Sequence, residues 1–155
     1  MAYWLFTVSM RKYHDAGVEL DPMNTYSTRM DDSVWGFHLE ENRKQPPRHL
    51  DELKAGDRVV FYIASPYSAL AGVAELDSGS MHWNDPRRRP EEWARWSHED
   101  NPDFLPPYVV MLRNIVRWES LRPKDLLPQG FMLQGSIHSL EQELYEQICG
   151  RCPQA

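Results

Sequence analysis

The sequence predicts a β-rich α+β domain. Several short runs of aromatic and β-branched residues have the length and composition of strands. The C-terminal region instead repeats its apolar residues at the spacing of an amphipathic helix. The chain has 155 residues, of which 41% are hydrophobic and 12% aromatic. This size and composition fit one packed domain over 1–155, so we expect a mixed sheet with helices beside it.

The predicted strands follow one another along the first three quarters of the chain. YWLFTVS comes first, and the mixed stretch that follows it, up to Ser33, has room for a short helix. A polar turn at Lys54–Asp57 then precedes a continuous apolar run, which is typical of a buried strand. Small residues in ALAGVAEL suit close backbone packing. The predicted strands span residues 3–9, 58–64, 69–76 and 108–113, the last continuing towards residue 118.

The predicted C-terminal helix lies in SLEQELYEQIC. Its apolar residues recur every four positions, with acidic residues between them. Ser139, followed three residues later by Gln142, resembles a capping box, so the helix should begin near Leu140. Gly150 is expected to end it.

The long segment Asp77–Pro107 does not have the pattern of a regular core element. It contains five prolines, three tryptophans and many charged residues. Loops of this length are usually functional or disordered, and the tryptophans argue against disorder. We therefore expect an ordered functional insertion.

Charge restricts the classes of partner. The net charge is −6, which disfavours a protein that holds nucleic acid mainly by electrostatic attraction. Arg87, Arg88 and Arg89 nevertheless form a dense basic stretch, and a second basic stretch contains Arg117, Arg122 and Lys124. The sequence contains no apolar run long enough to span a membrane and does not begin like a signal peptide, so we expect a cytoplasmic protein with no membrane partner.

Catalytic and metal-binding motifs are not found in the sequence. It contains no phosphate-binding glycine loop, no nucleophile elbow and no HExxH motif, and its six histidines are scattered. Cys149 and Cys152 form a CxxC pair at the end of the predicted helix, where they supply at most half of a structural zinc site. We expect no cofactor, no metal and no enzymatic activity.

Tryptophans in polar surroundings are the strongest functional signal. Trp35 lies in DDSVWGFHLEENR, next to a glycine and among charged residues. An aromatic face flanked by polar groups can hold a nucleobase, since stacking contributes about 1–3 kcal/mol per base. The alternative is that each tryptophan simply packs a loop against the core.

The order of several motifs resembles the EVE domain of the PUA-like superfamily, which also contains the YTH readers. The motifs are YWLFTVS, VWGF, LKAGDRVVFYIAS with ALAGVAEL, PYVVMLR, and GSIHSLEQELYEQI. The resemblance covers nearly the whole chain. It implies a PUA-like fold, a small mixed β-barrel or curved sheet with flanking helices. It also implies that a modified nucleobase is bound in an aromatic cage.

The resemblance also implies which residues form the cage. Trp35 matches the cage tryptophan, and Gly36 would leave room for the base. Ser9 matches a polar position at the bottom of the pocket. The second wall would be Trp83, with Trp93 or Trp96 as alternatives. The end of the strand that lines the pocket is matched by Tyr62, Ala64 and Ser65.

The sequence thus leads to one hypothesis and two alternatives. The hypothesis is a monomeric, non-enzymatic protein that flips a modified base of DNA or RNA into a cage, with Arg87, Arg88 and Arg89 contacting phosphates. The methylated or hydroxymethylated base would be a cytosine or an adenine. The first alternative is a small PUA-like hydrolase acting on nucleosides or RNA. The second is a protein-interaction module with an aromatic patch.

Overall fold

The computed structural model describes residues 1–9, 11–13, 18–38, 45–82, 85 and 107–150, with backbone only for 11–13 and 18–20. Two helices and nine strands are found in these residues. The helices are α1 (Pro22–Asp32) and α2 (Gln142–Gly150). The strands are β1 (Tyr3–Val8), β2 (Arg11–Tyr13), β3 (Val18–Leu20), β4 (Val34–Phe37), β5 (Arg58–Ile63), β6 (Ala69–Leu76), β7 (Met81–His82), β8 (Tyr108–Pro123) and β9 (Ile137–Leu140).

The main sheet is mixed and curled into a half-barrel with the two helices beside it. Seven strands take part, in the order β4-β8-β6-β5-β1-β9 with β7 added beside β8, and β2 pairs with β3 separately. β1 and β5 are parallel, whereas the neighbouring pairs are antiparallel. The long strand β8 pairs with β4 near its start and with β6 over the rest of its length. The predicted α+β class, a curved mixed sheet with flanking helices, is confirmed.

Both faces of the central strands are buried, which explains their continuous apolar sequences. Side chains alternate between the faces, so successive residues of β5 enter different clusters. The α1-side core includes Trp4, Phe6, Trp35, Phe61 and Ile63, together with residues of α1. The α2-side core includes Leu5, Val60, Tyr62, Leu70 and Tyr145.

A buried carboxylate, Asp57, fixes the start of the central parallel pair. It follows a turn in which Gly56 has a φ of +93°, a conformation that favours glycine. Asp57 Oδ1 accepts a hydrogen bond from the Ala2 backbone, while Oδ2 accepts from Trp4 Nε1 and from the Lys54 backbone. The side chain is only 4% exposed. It therefore joins the chain start, β1 and the turn before β5 at one point.

The predicted elements agree with the structure at the strongly patterned segments. The four predicted strands correspond to β1, β5, β6 and β8, with β8 extending to Pro123. The start of the C-terminal helix was predicted wrongly. Ser139 and Leu140 belong to β9, which pairs with β1, and α2 begins at Gln142. In the predicted insertion the structure describes residues 77–82, which include β7, together with Asp85 and Pro107.

Helix α1 occupies the mixed stretch before Ser33 in which the sequence leaves room for a short helix. Asp21 is its N-cap, accepting a hydrogen bond from the Asn24 backbone, and Pro22 occupies the first turn. Tyr26 and Met30, one turn apart, pack into the α1-side core. In the part of the chain that the structure describes, neither helix is long and apolar enough to cross a membrane.

We expect Asp57→Ala to lower the free energy of unfolding by about 3 kcal/mol, because it leaves buried N–H donors without an acceptor. Urea denaturation measures this change. Asp51→Ala is the matched control, since Asp51 is an exposed acid in the adjoining 3-10 turn. It should lower the free energy of unfolding by less than about 0.5 kcal/mol. Equal losses in the two variants would contradict the role assigned to Asp57.

Candidate functional site

Trp35 lies in the α1-side core, and none of its surface is exposed. Its strand, β4, is buried at all four positions because it pairs with β8 and is covered on both faces. The Trp35 ring centroid lies 4.6 Å from that of Phe61 and 6.2 Å from that of Phe6. Trp35 is therefore a core residue in this structure, and a base reaches its ring only if the groups packed on it move.

One of those groups is the guanidinium of Arg29, in the last turn of α1. Its Cζ atom lies over the Trp35 ring, 4.7 Å from the ring centroid. Arg29 is only 7% exposed, and a desolvated cation–π contact contributes about 2 kcal/mol. A flat, polar group thus already lies over the face of the indole.

Two polar atoms in the same cluster are buried without a partner. Neither Trp35 Nε1 nor Tyr26 Oη has a hydrogen-bond partner among the described residues. Such groups are rare in folded proteins, and each costs about 1–3 kcal/mol. Burial raises the pKa of Tyr26 to about 12, with Arg117 partly opposing the shift. The phenol therefore keeps its proton at neutral pH and can donate it to an acceptor.

Gly72 makes room for the Tyr26 hydroxyl above β6. A Cβ atom at position 72 would lie 2.7 Å from Tyr26 Oη and 2.4 Å from the Val116 carbonyl oxygen. Both distances are too short for any side chain, so the close approach requires glycine. The small residues of ALAGVAEL, predicted to allow close backbone packing, have this role at Gly72.

The carboxyl ends of β1 and β5 bring Ser9, Ala64 and Ser65 together, as the strands are parallel and in register at Val8 and Ile63. The Ala64 N–H donates to the Val8 carbonyl at 2.9 Å. Ser9 and Ser65 are exposed, and Ala64 is half-buried. We call this end of the sheet the strand-end edge.

The strand-end edge lies beside the start of α1 and close to the Trp35 cluster. In the turn after β5, the Tyr67 hydroxyl donates to the carboxylate of Asp21, the N-cap of α1, at 3.1 Å. Phe6 and Phe61, which pack on Trp35, lie three residues before Ser9 and Ala64. Three residues span about 10 Å along a strand. The edge is therefore an exposed part of the sheet within about 10 Å of residues that contact the Trp35 ring.

Two predicted site residues are not brought to the Trp35 ring. Tyr62 is buried in the α2-side core, on the opposite face of the sheet, whereas its neighbour Phe61 contacts Trp35. Gly36 lies between Trp35 and Phe37, which both enter the α1-side core. A side chain at position 36 would therefore lie on the other face of β4, away from the indole. In both cases the reason is that side chains alternate between the two faces of a strand, so a neighbour of a residue that contacts Trp35 faces the other way.

The remaining predicted site residues are Trp83, Arg87, Arg88 and Arg89, with Trp93 and Trp96 as the alternatives to Trp83. All of them lie outside the described residues. The second basic stretch is described. Arg117 pairs with Asp31 of α1, and the Arg122 guanidinium lies 4.3 Å from the ring centroid of Trp118, on the α2 side.

Sequence reasoning missed Arg29 and Tyr26. Both lie in α1, whose periodic pattern is weak, so their orientation towards Trp35 was not predicted. The spacing of Tyr26, Arg29 and Met30 is the signal that could have been used, because residues three and four apart share a helix face.

Comparison with known proteins identifies the fold. No family model and no curated protein matches the chain. Human THYN1, solved in complex with DNA containing 5-methylcytosine, matches with a TM-score of 0.60 and 12% identity over 97% of each chain. ASCH from Zymomonas mobilis matches with a TM-score of 0.59 and 13% identity, over 99% of this chain and 97% of that chain. The DUF55 domain of human thymocyte nuclear protein 1 matches with a TM-score of 0.58 and 14% identity, over 97% of this chain and 98% of that domain.

These neighbours belong to the PUA-like superfamily. At identities of 12–14%, the likeness shows a shared fold. The chain has the PUA-like fold, as the resemblance to the EVE domain implied.

We expect Tyr26→Phe to raise the free energy of unfolding at pH 7 by about 1–3 kcal/mol, because it removes a buried hydroxyl that has no partner among the described residues. A raised pKa means that the folded state holds the phenol proton more tightly than the unfolded state. The stability linked to Tyr26 is thus complete below pH 10 and is lost as the pH rises towards 12.

Urea denaturation of both proteins between pH 7 and pH 12 measures the two effects. The parent should lose stability relative to Tyr26→Phe above about pH 10. Parallel pH profiles, or a variant more than about 1 kcal/mol less stable at pH 7, would contradict a buried phenol without a partner.

Proposed function

We propose that the protein is a non-enzymatic member of the EVE branch of PUA-like proteins that binds a modified nucleobase in DNA or RNA. The target would be a methylated or hydroxymethylated cytosine or adenine, flipped out of its strand and stacked on Trp35. The observation that carries this proposal is the Arg29 guanidinium on the indole face. It supports the proposal because a flat, polar group is already accommodated at that position.

The energies permit such a site. Unstacking a base costs a few kcal/mol in a duplex and less in a single strand. Stacking on an aromatic ring contributes about 1–3 kcal/mol, and displacing Arg29 costs about 2 kcal/mol unless the guanidinium finds a new partner. A phosphate of the bound strand is a suitable partner for it. The balance favours a single-stranded or already destabilised target.

The other predicted residues have assigned roles in the proposal. Ser9, Ala64 and Ser65 at the strand-end edge would contact the nucleotide as it enters. Trp83, or Trp93 or Trp96 in its place, would form the second wall of the cage. The positions of Tyr62 and Gly36 favour roles in packing over contact with the base.

The similarity to human THYN1 adds support for the ligand class. That neighbour was solved in complex with DNA containing 5-methylcytosine. A pocket shaped for one extra methyl group gains about 1–3 kcal/mol of discrimination. Selection for a modified base is therefore possible without any catalytic step. The proposal requires neither metal nor cofactor and places the protein in the cytoplasm as a monomer.

Binding to the phosphate backbone is assigned to Arg87, Arg88 and Arg89. In a chain of net charge −6, these residues are the densest positive stretch. Charge contacts with phosphate strengthen binding to every sequence equally, whereas contacts with the base distinguish one base from another. The proposal therefore separates attraction to the strand from recognition of the target.

We expect Trp35→Phe to weaken binding to the target oligonucleotide about tenfold, because phenylalanine stacks over a smaller area. Fluorescence anisotropy with a panel of single-stranded DNA and RNA oligonucleotides, each carrying one modified base, identifies the target and measures the change. Phenylalanine is preferred to alanine, since emptying a fully buried tryptophan site costs about 3–5 kcal/mol of stability. Trp118→Phe, on the α2 side of the sheet, is the matched control and should bind like the parent.

Replacing Arg87, Arg88 and Arg89 with alanine provides the complementary control. It should weaken binding to every oligonucleotide about equally and flatten the salt dependence, at about 0.7–0.9 units of slope per lost phosphate contact. The ratio between the affinities for modified and unmodified targets should not change.

Equal binding of all oligonucleotides by the parent and Trp35→Phe would contradict the proposed site. Recovery of a hydrolysed base would instead favour the hydrolase alternative.

A further inference from the structure

We propose that Arg122 binds one phosphate group of the nucleic-acid strand where the strand passes the strand-end edge. The inference rests on the proposed function and adds to it a contact with the phosphate backbone. The ligand is a single phosphodiester next to the flipped nucleotide. This contact is separate from those assigned to Arg87, Arg88 and Arg89.

The registers of four strands place Arg122 beside the strand-end edge. Val8 of β1 is paired with Ile63 of β5, and Ile63 is paired in turn with Ala69 of β6. Ala69 is paired with Pro123 of β8, the residue after Arg122. These residues form one row across the sheet. Because neighbouring strands lie about 4.8 Å apart, the end of β8 is about 10 Å from the end of β5.

The guanidinium of Arg122 has no hydrogen-bond or ion-pair partner in the part of the chain that the structure describes. Its Nε is buried, whereas its two terminal nitrogens are not among the buried atoms without a partner and therefore reach solvent. A charged donor without an acceptor is costly in a half-buried side chain. A ligand that brings anionic oxygens would supply the missing acceptors.

The other two arginines of β8 are already paired. Arg113 pairs with Glu75 and Asp77. Arg117 pairs with Asp31 of α1. Arg122 is therefore the arginine of this strand that is available to an external anion.

Trp118 supports the Arg122 guanidinium, whose Cζ atom lies 4.3 Å from the ring centroid of the indole. A group that is already supported loses less conformational freedom when it binds. Its planar fork can donate two parallel hydrogen bonds to two oxygens of one phosphate. Trp118→Phe retains an aromatic ring at this position, so that variant keeps the support and remains a valid control for Trp35→Phe.

The charges around this end of β8 are of both signs. Lys124 is exposed and positive, whereas Glu119 and Asp125 are exposed acids. Across the edge, the carboxylate of Asp21 accepts hydrogen bonds from Tyr67 and from the start of α1. Because these charges largely balance, long-range attraction is weak here. The inference therefore predicts one local phosphate contact and no extended basic surface.

The experiment neutralises one phosphate at a time. The probe is a single-stranded DNA oligonucleotide with one 5-methylcytosine at its centre. In a series of probes, each phosphodiester in turn is replaced by an uncharged methylphosphonate. Dissociation constants are measured by fluorescence anisotropy for the parent, Arg122→Gln, Arg113→Gln and Trp35→Phe. Urea denaturation verifies that each variant is folded.

Arg113→Gln is the matched control. It removes the same charge from the same strand, but the guanidinium that it removes is already engaged by Glu75 and Asp77. A general effect of net charge on binding would therefore appear equally in Arg113→Gln and Arg122→Gln.

We expect Arg122→Gln to weaken binding of the fully charged probe about tenfold at low salt. The slope of the salt dependence should fall by about 0.7, the value for one phosphate contact with a single strand. In the parent, one methylphosphonate position beside the modified base should cause a similar loss. The same replacement should have no further effect in Arg122→Gln, because the contact is already absent, whereas Arg113→Gln should respond like the parent.

Two sets of results would overturn the inference, and they are distinguishable. If Trp35→Phe weakens binding but Arg122→Gln responds to every methylphosphonate as the parent and Arg113→Gln do, Arg122 makes no phosphate contact and the proposed function stands. If the parent and Trp35→Phe bind the probe equally, the proposed function fails, and the inference fails with it.

Discussion

The parallel pairing of β1 with β5 is the constraint on which the rest of the structure depends. Two parallel strands at the centre of a sheet must be covered on both faces, and here one helix lies on each side. The same pairing places the ends of both strands at one edge. Asp57 fixes the opposite end by joining the chain start, Trp4 and the turn before β5. A single register therefore determines where any site at this edge can form.

The α1-side core combines packing with groups that are costly to bury. Trp35, Phe6 and Phe61 supply apolar area, yet the same cluster contains a guanidinium and two polar atoms that have no partner among the described residues. On the α2 side, the half-buried Trp118–Arg122 pair also has such an atom, Arg122 Nε. Stability alone would favour apolar groups at Tyr26 and Arg29, since burying them costs free energy. Their presence in this core supports the binding role proposed for this position.

The sequence was informative where one physical signal was strong. Continuous apolar runs predicted β1, β5, β6 and β8 because these strands are buried on both faces. An unbroken apolar run has no polar–apolar alternation, because both faces need apolar side chains. The sequence therefore does not indicate whether Phe61 or Tyr62 faces Trp35. β4 and β9 were missed because four residues are too few to establish a period among polar neighbours. The strand-end residues Ser9, Ala64 and Ser65 were predicted together, and the structure brings them together.

The central claim is that the Trp35 indole holds the target base, and NMR of the tryptophan side chains tests it most directly. The protein has six tryptophans, hence six indole N–H signals, and Trp35→Phe identifies the one from Trp35. In the free protein this N–H should exchange slowly with solvent, because the ring has no exposed surface. Adding the modified oligonucleotide should shift this signal upfield, because the ring current of a base stacked on the indole shields its N–H. A Trp35 signal that stays unchanged at saturation, while the signal of another tryptophan moves, would contradict the account.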